Sequence, residues 1–175
     1  MEHYDLVKLA HAGIGTLALA TFWVSGMVRK GSPVHKVSGK LYLLAMTGIL
    51  LSAIPMTVAF FTRQNPVAAA FLIYLIVITS TSVWCSWRSV RDKHDWTRYT
   101  GPVYRYLMVM NGISGLAIAY IGLFVTNQMA LIFTAFSLIG LMNAVEMWRF
   151  SRSAPTDSRW WLKKHFSAMI GNGVA

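Results

Sequence analysis

One cysteine, Cys85, occurs in the chain, so no intrachain disulfide can hold it together. Acidic residues are also scarce, six against sixteen Lys and Arg. Charged residues of both signs make up 13% of the 175 residues, about half of the roughly 25% found in a soluble domain. That shortage argues against an ordinary soluble fold, and the 55% hydrophobic content argues against disorder. Missing too are the CxxC, CxxCH, HExxH, Walker and GxGxxG patterns, so the soluble catalytic classes built on them have no foothold. The length suits a single domain over residues 1–175.

What the chain has instead is long apolar runs. A membrane helix needs about 20 mainly apolar residues. Five stretches meet this: Leu6 to Met27, Leu41 to Phe61, Val67 to Trp87, Tyr104 to Val125, and Met129 to Phe150. Each is about 32 Å long at 1.5 Å per residue. All are apolar around most of their circumference, unlike a soluble surface helix. A sixth segment begins near Trp160. Its uncharged part, His165 to Ala175, would reach about 16 Å, half a bilayer. It is expected to be a short or re-entrant element, or the start of a longer helix that the chain cuts off. The predicted fold class is therefore all-α: a polytopic transmembrane bundle of five full spans and a sixth partial one.

The net charge of +10 is distributed unevenly. The first, third and fifth connections, with the span ends beside them, hold Arg29, Lys30, Lys36 and Lys40; Arg88, Arg91, Lys93, Arg98 and Arg105; and Arg149, Arg152, Arg159, Lys163 and Lys164. Lys8 and Arg63 fall on the other side. Cytoplasmic loops are enriched in Lys and Arg. This sorting predicts a bacterial inner-membrane protein with its N-terminus outside and three basic loops in the cytoplasm. The basic surface then follows from topology and suits anionic lipid headgroups, not nucleic acid. The N-terminus carries Glu2 and Asp5, and the basic cluster follows the first apolar run, which is the reverse of a signal peptide. The outer connections, Thr62 to Pro66 and Thr126 to Gln128, are minimal, so function is expected within the bilayer or at the cytoplasmic face.

Trp84, Trp87, Tyr104, Tyr106, Trp148, Trp160 and Trp161 cluster near the basic side, as an interfacial aromatic belt would. Glycine and alanine are frequent in the first and fourth spans, where close helix packing in lipid would use them. Gly13 to Ala20 and Gly112 to Ala119 share five of eight residues, so an inverted repeat is conceivable. Pro55 should kink the second span. Ser38 can cap the start of that span, and Lys40 can snorkel.

Ionisable groups at membrane depth point to function by default. His11 lies about 8 Å below the outer boundary. It could ligate a metal or haem, relay protons or bond a quinone carbonyl; the alternative is a neutral histidine bonded to a neighbouring helix. His35 precedes the second span and His165 opens the last segment, both on the basic side. Glu146, one turn before the end of the fifth span, wants a partner, with Arg149, Arg105 and His165 as candidates. Asn111 and Asn143 suit interhelical hydrogen bonds, and His3 and His94 suit exposed positions. Depth separates His11 from His165 by about 15 to 20 Å in a core about 30 Å thick. Two nitrogens on one metal lie about 4 Å apart, so these two cannot share a centre. His35 and His165 can meet, with Glu146 completing an inner-face site.

Three short motifs carry a family resemblance: His11-x-x-x-Gly15 with Leu17-Ala18-Leu19, His35-Lys36-x-x-Gly39-Lys40-x-Tyr42, and His165-x-x-x-Met169-x-Gly171. In these the chain resembles the bacterial membrane family DUF2306, whose members look like small polytopic inner-membrane proteins without an agreed activity. The resemblance implies that His11, His35 and His165 form a functional set. The leading expectation is a redox-linked or cofactor-handling membrane protein. In it His11, His35 and His165 with Glu146 bind a metal ion, haem or quinone, and His35 and His165 are the metal ligands. A small proton-coupled transporter is the alternative, as is a non-catalytic subunit or assembly factor with a membrane-protein partner or a second copy of itself.

Overall fold

The computed structural model describes residues 2–127 and 129–174, with only the backbone for Glu2, His3 and Val174. The exposure expected of the His3 side chain, and Gln128 and Ala175 altogether, thus lie outside the described residues. The described residues form helices and no strands: α1 (Glu2–Met27), α2 (Pro33–Thr62), α3 (Pro66–Arg91), α4 (Trp96–Tyr99), α5 (Pro102–Phe124), α6 (Ala130–Arg152) and α7 (Trp160–Val174). Among them α1, α2, α3, α5 and α6 are long and apolar enough to cross a membrane. The protein is a multi-pass helical membrane protein.

Three of the long helices start on proline. Pro33, Pro66 and Pro102 occupy the first turns of α2, α3 and α5, where a missing N–H is harmless and the fixed φ suits the helix. Ser32 and Asn65 accept the backbone N–H of His35 and Ala68 and so cap α2 and α3. The second span therefore begins eight residues before the expected Leu41. Ser38 is not its cap: it is buried two turns in, where it donates to Val34 O and accepts from Ser25 Oγ of α1 at 2.8 Å each. The α2 helix continues through Pro55 to Thr62. Gly31, at φ 82°, makes the turn between α1 and α2 that a side chain would strain.

The short α4 interrupts the third connection. Asp95 caps it, accepting the Arg98 N–H at 2.8 Å, and the buried Asp92 accepts from Arg88. Before α7, Asp157 accepts the Arg159 N–H (2.8 Å) and pairs with Lys163 (3.0 Å). Those partners hold the Asp157 carboxyl below the usual range.

The α3 helix is the hub. The α1–α2 hairpin packs on it through α2, the α5–α6 hairpin packs on it through α5, and α7 lies against it. The hairpins' outer faces carry large apolar side chains such as Leu131, 84% exposed, and Met27, 79% exposed. A water-facing surface of this kind is untenable, whereas lipid covers it at no cost. Glycines are tight where helices meet. Gly115 and Gly122 of α5 abut Leu141, Phe133 and Thr134 of α6, but Gly13 and Gly15 of α1 face open space. Small residues thus seat α5 against α6, while the two α1 glycines have room for a side chain. The expected aromatic belt divides too. Trp87, Tyr106 and Trp148 are exposed, as interfacial anchors would be, but Tyr104 and Trp160 are buried with Tyr99 in a core cluster.

Candidate functional site

The α1–α2 turn carries His35 back over the C-terminal end of α1. Its Nδ1 lies 3.1 Å from Ser25 O. The start of α7 brings His165 to the equivalent position on α3, with Nδ1 2.9 Å from Ser86 O. A carbonyl oxygen can only accept, so each Nδ1 carries the proton and each Nε2 is left without it in the neutral ring. His35 stands close enough that charge on it disfavours charge on His165. Burial first, and His35 after it, hold the His165 imidazole below its ordinary value, against the pull of the Ser86 carbonyl. Both histidines are half-buried. Lys30 shares the Ser25 carbonyl with His35 at 2.8 Å and closes off the end of α1.

His11 is elsewhere. Its Nδ1 lies 2.8 Å from Ser52 Oγ of α2. That hydroxyl donates its hydrogen to Gly48 O or Ile49 O, so it accepts from His11. His11 is thus bonded to a neighbouring helix, and its Nε2 is also left without a proton in the neutral ring. It lines a cavity of about 280 Å³ between α1, α2, α3 and the tip of α7, together with Tyr42 and Asn172. About 21 Å of helix separates His11 from Ser25, where His35 binds. The depth separation of His11 from the other two stands, and one ion cannot take all three.

Glu146 departs from expectation. Its partner is Lys164 of α7, not Arg149, Arg105 or His165. Lys164 extends over the Phe150 ring, 4.2 Å from its centroid, to reach the carboxylate. The reason is the approach of α7: with His165 bonded to Ser86 of α3, the preceding side chain faces α6. Glu146 therefore belongs to a different cavity, of about 190 Å³, lined also by Cys85, Tyr99, Tyr104, Asn143 and Ser82. His35 and His165 do not line it. Among the described residues no three His, Cys, Asp or Glu side chains group as a metal site would.

Tyr99 and Tyr104 had no functional signal in the sequence. Tyr104 stood at a span end like an anchor, and Tyr99 lay in a loop. The capped turn of α4 folds Tyr99 under α3, where its ring packs 5.2 Å from that of Tyr104 and 5.6 Å from that of Trp84. Asn111 behaves as predicted, donating to Thr81 Oγ1 at 2.6 Å and tying α5 to α3. His94 is exposed.

Comparison with family models, with curated proteins and with solved structures finds no match to this chain. The site must be judged on its own chemistry.

Proposed function

We propose that this protein binds a first-row transition-metal ion between His35 and His165, near the cytoplasmic face of the bacterial inner membrane, as part of a redox-linked or ion-handling activity. One observation carries this. Both imidazoles donate Nδ1–H to a backbone carbonyl, the arrangement that orients metal-bound histidines and makes the other nitrogen a better ligand. Imidazole suits copper, zinc, iron and nickel. With two protein ligands, the remaining positions are open to water or substrate, as in a working centre and unlike a closed structural one. An ion suits the pair better than the other two groups considered. Neither cavity described above is lined by His35 or His165, as a porphyrin bound to them would need, and an unprotonated Nε2 accepts where a quinone carbonyl needs a donor. The motif resemblance to DUF2306 supports treating the histidines as functional. The crowding of Lys and Arg at this end supports a cytoplasmic placement, the N-terminus outside, and contact with anionic lipid headgroups.

Elemental analysis and absorption spectra of protein purified without chelators test the proposal. One ion per chain is expected, falling to background in His35→Ala and in His165→Ala. Binding should weaken on acidification, since protons compete for the same nitrogens. Because His165 is held below its ordinary 6.5, that loss sets in at more acid pH than for free imidazole. A colourless, metal-free preparation indistinguishable from His165→Ala would defeat the proposal, and a haem spectrum would replace the ion by haem iron.

A further inference from the structure

The cavity that His11 lines is apart from the histidine pair and has its own chemistry. His11 Nδ1 donates to Ser52 Oγ, which holds the ring and leaves Nε2 a bare acceptor in the neutral imidazole. Nε2 has no hydrogen-bond partner, yet among the described residues it is not one of the partnerless side-chain atoms that are sealed from contact. It is thus open to an occupant. His11 lies inside the α1 span, where lipid supplies no donor to satisfy it.

The rest of the lining narrows the class. Phe22 of α1, Met46 and Leu50 of α2, and Leu72 and Leu75 of α3 make the walls apolar. No Lys, Arg, Asp or Glu lines the cavity among the described residues, so a charged occupant facing a neutral His11 would be uncompensated, which is expensive. A dry cavity of about 150 Å³ is enough for benzene, so about 280 Å³ takes one substituted ring. The occupant that fits is uncharged, apolar over most of its surface, and carries an O–H donor. A phenol supplies that donor better than an aliphatic alcohol, because its proton is the more acidic.

We propose that this cavity binds a lipid-soluble phenol, its ring among the apolar walls and its hydroxyl donating a hydrogen bond to His11 Nε2. The site is distinct from His35 and His165 and holds whether or not that pair binds an ion.

Isothermal titration of the full chain in lipid nanodiscs tests it, with empty nanodiscs as the blank. The probes are para-propylphenol and its methyl ether, para-propylanisole, which keeps the ring and the oxygen but has no hydrogen to donate. Saturable binding of one phenol per chain is expected, with the ether roughly fivefold weaker, the worth of one hydrogen bond. His11→Leu should weaken the phenol by the same factor and leave the ether unchanged. This variant should still fold, because Ser52 keeps its own bond to Gly48 O or Ile49 O. Gly15 is on the lining with nothing within 4 Å of an added Cβ, so Gly15→Leu takes up cavity space and should weaken both probes. Heat no greater than that of empty nanodiscs would overturn the proposal. So would equal binding of phenol and ether, a phenol affinity indifferent to His11→Leu or to Gly15→Leu, or tighter binding of para-propylbenzoate. None of these readings draws on His35 or His165, so the two proposals can fail separately.

Discussion

Tyr74 shows how one side chain can define a helix seam. Its hydroxyl donates to Phe136 O and accepts the Gly140 N–H at 2.9 Å, standing between two groups that an α-helix pairs with each other. Gly140 makes this possible. A Cβ there would lie 2.9 Å from Tyr74 Cε2 and 3.1 Å from the backbone oxygen of Asn111. Neither neighbour can yield easily, because the ring is fully buried and the oxygen belongs to α5. Gly140→Ala should therefore cost about 1–3 kcal/mol, as overpacking does. Gly13→Ala, with nothing within 4 Å, should gain a little from helix propensity. Thermal unfolding in detergent checks the pair, and equal melting of the two variants would count against the packing described. In sequence the two glycines look alike, both set among apolar neighbours in a span. What distinguishes them is the helix on the other side.

The start of α2 carries the candidate site at the scale of an element. Ser32 accepts the N–H of His35 itself, so the cap and the proposed ligand share one turn. Ser32→Ala should destabilise the helix end by about 1 kcal/mol. It should also weaken metal retention without removing a ligand, measured as a lower ion content after dialysis. Unchanged melting and unchanged metal would show that the cap does neither. The signal for this start, Ser32-Pro33, is present in the sequence. The hydropathy boundary hides it, because the amphipathic first turns of α2 sit outside the apolar run. The same limit applies to α7. Its existence was legible from Trp160 onward, but not that Lys164 would turn to Glu146 while His165 turned to Ser86. That division depends on the helix lying between α3 and α6, and sequence spacing says nothing of neighbours.

For the molecule as a whole, the sorting of charge predicts its orientation. In a Cys85→Ala background, a membrane-impermeant maleimide should label Gln64→Cys in intact cells. It should label Lys36→Cys only after permeabilisation. The reverse pattern would turn the bundle over and move the histidine pair to the outside. Position along a span could be read ahead of the structure, because each residue of a helix advances about 1.5 Å. His11 was thereby separated from His35 and His165, and the structure keeps them apart. Position around each helix axis could not be read. A span apolar on all sides has no face that hydropathy singles out.

From sequence alone came the class of the protein and its five apolar spans, because desolvation acts on every residue in turn and leaves a linear record. The tertiary structure decided which groups meet: two histidines bonded to carbonyls of different helices, a carboxylate drawn to Lys164, and two tyrosines folded onto one cavity. Those contacts come from helix rotation and from the path of α7, which are set by close packing between distant segments. Packing of that kind leaves no trace in the order of residues along one helix.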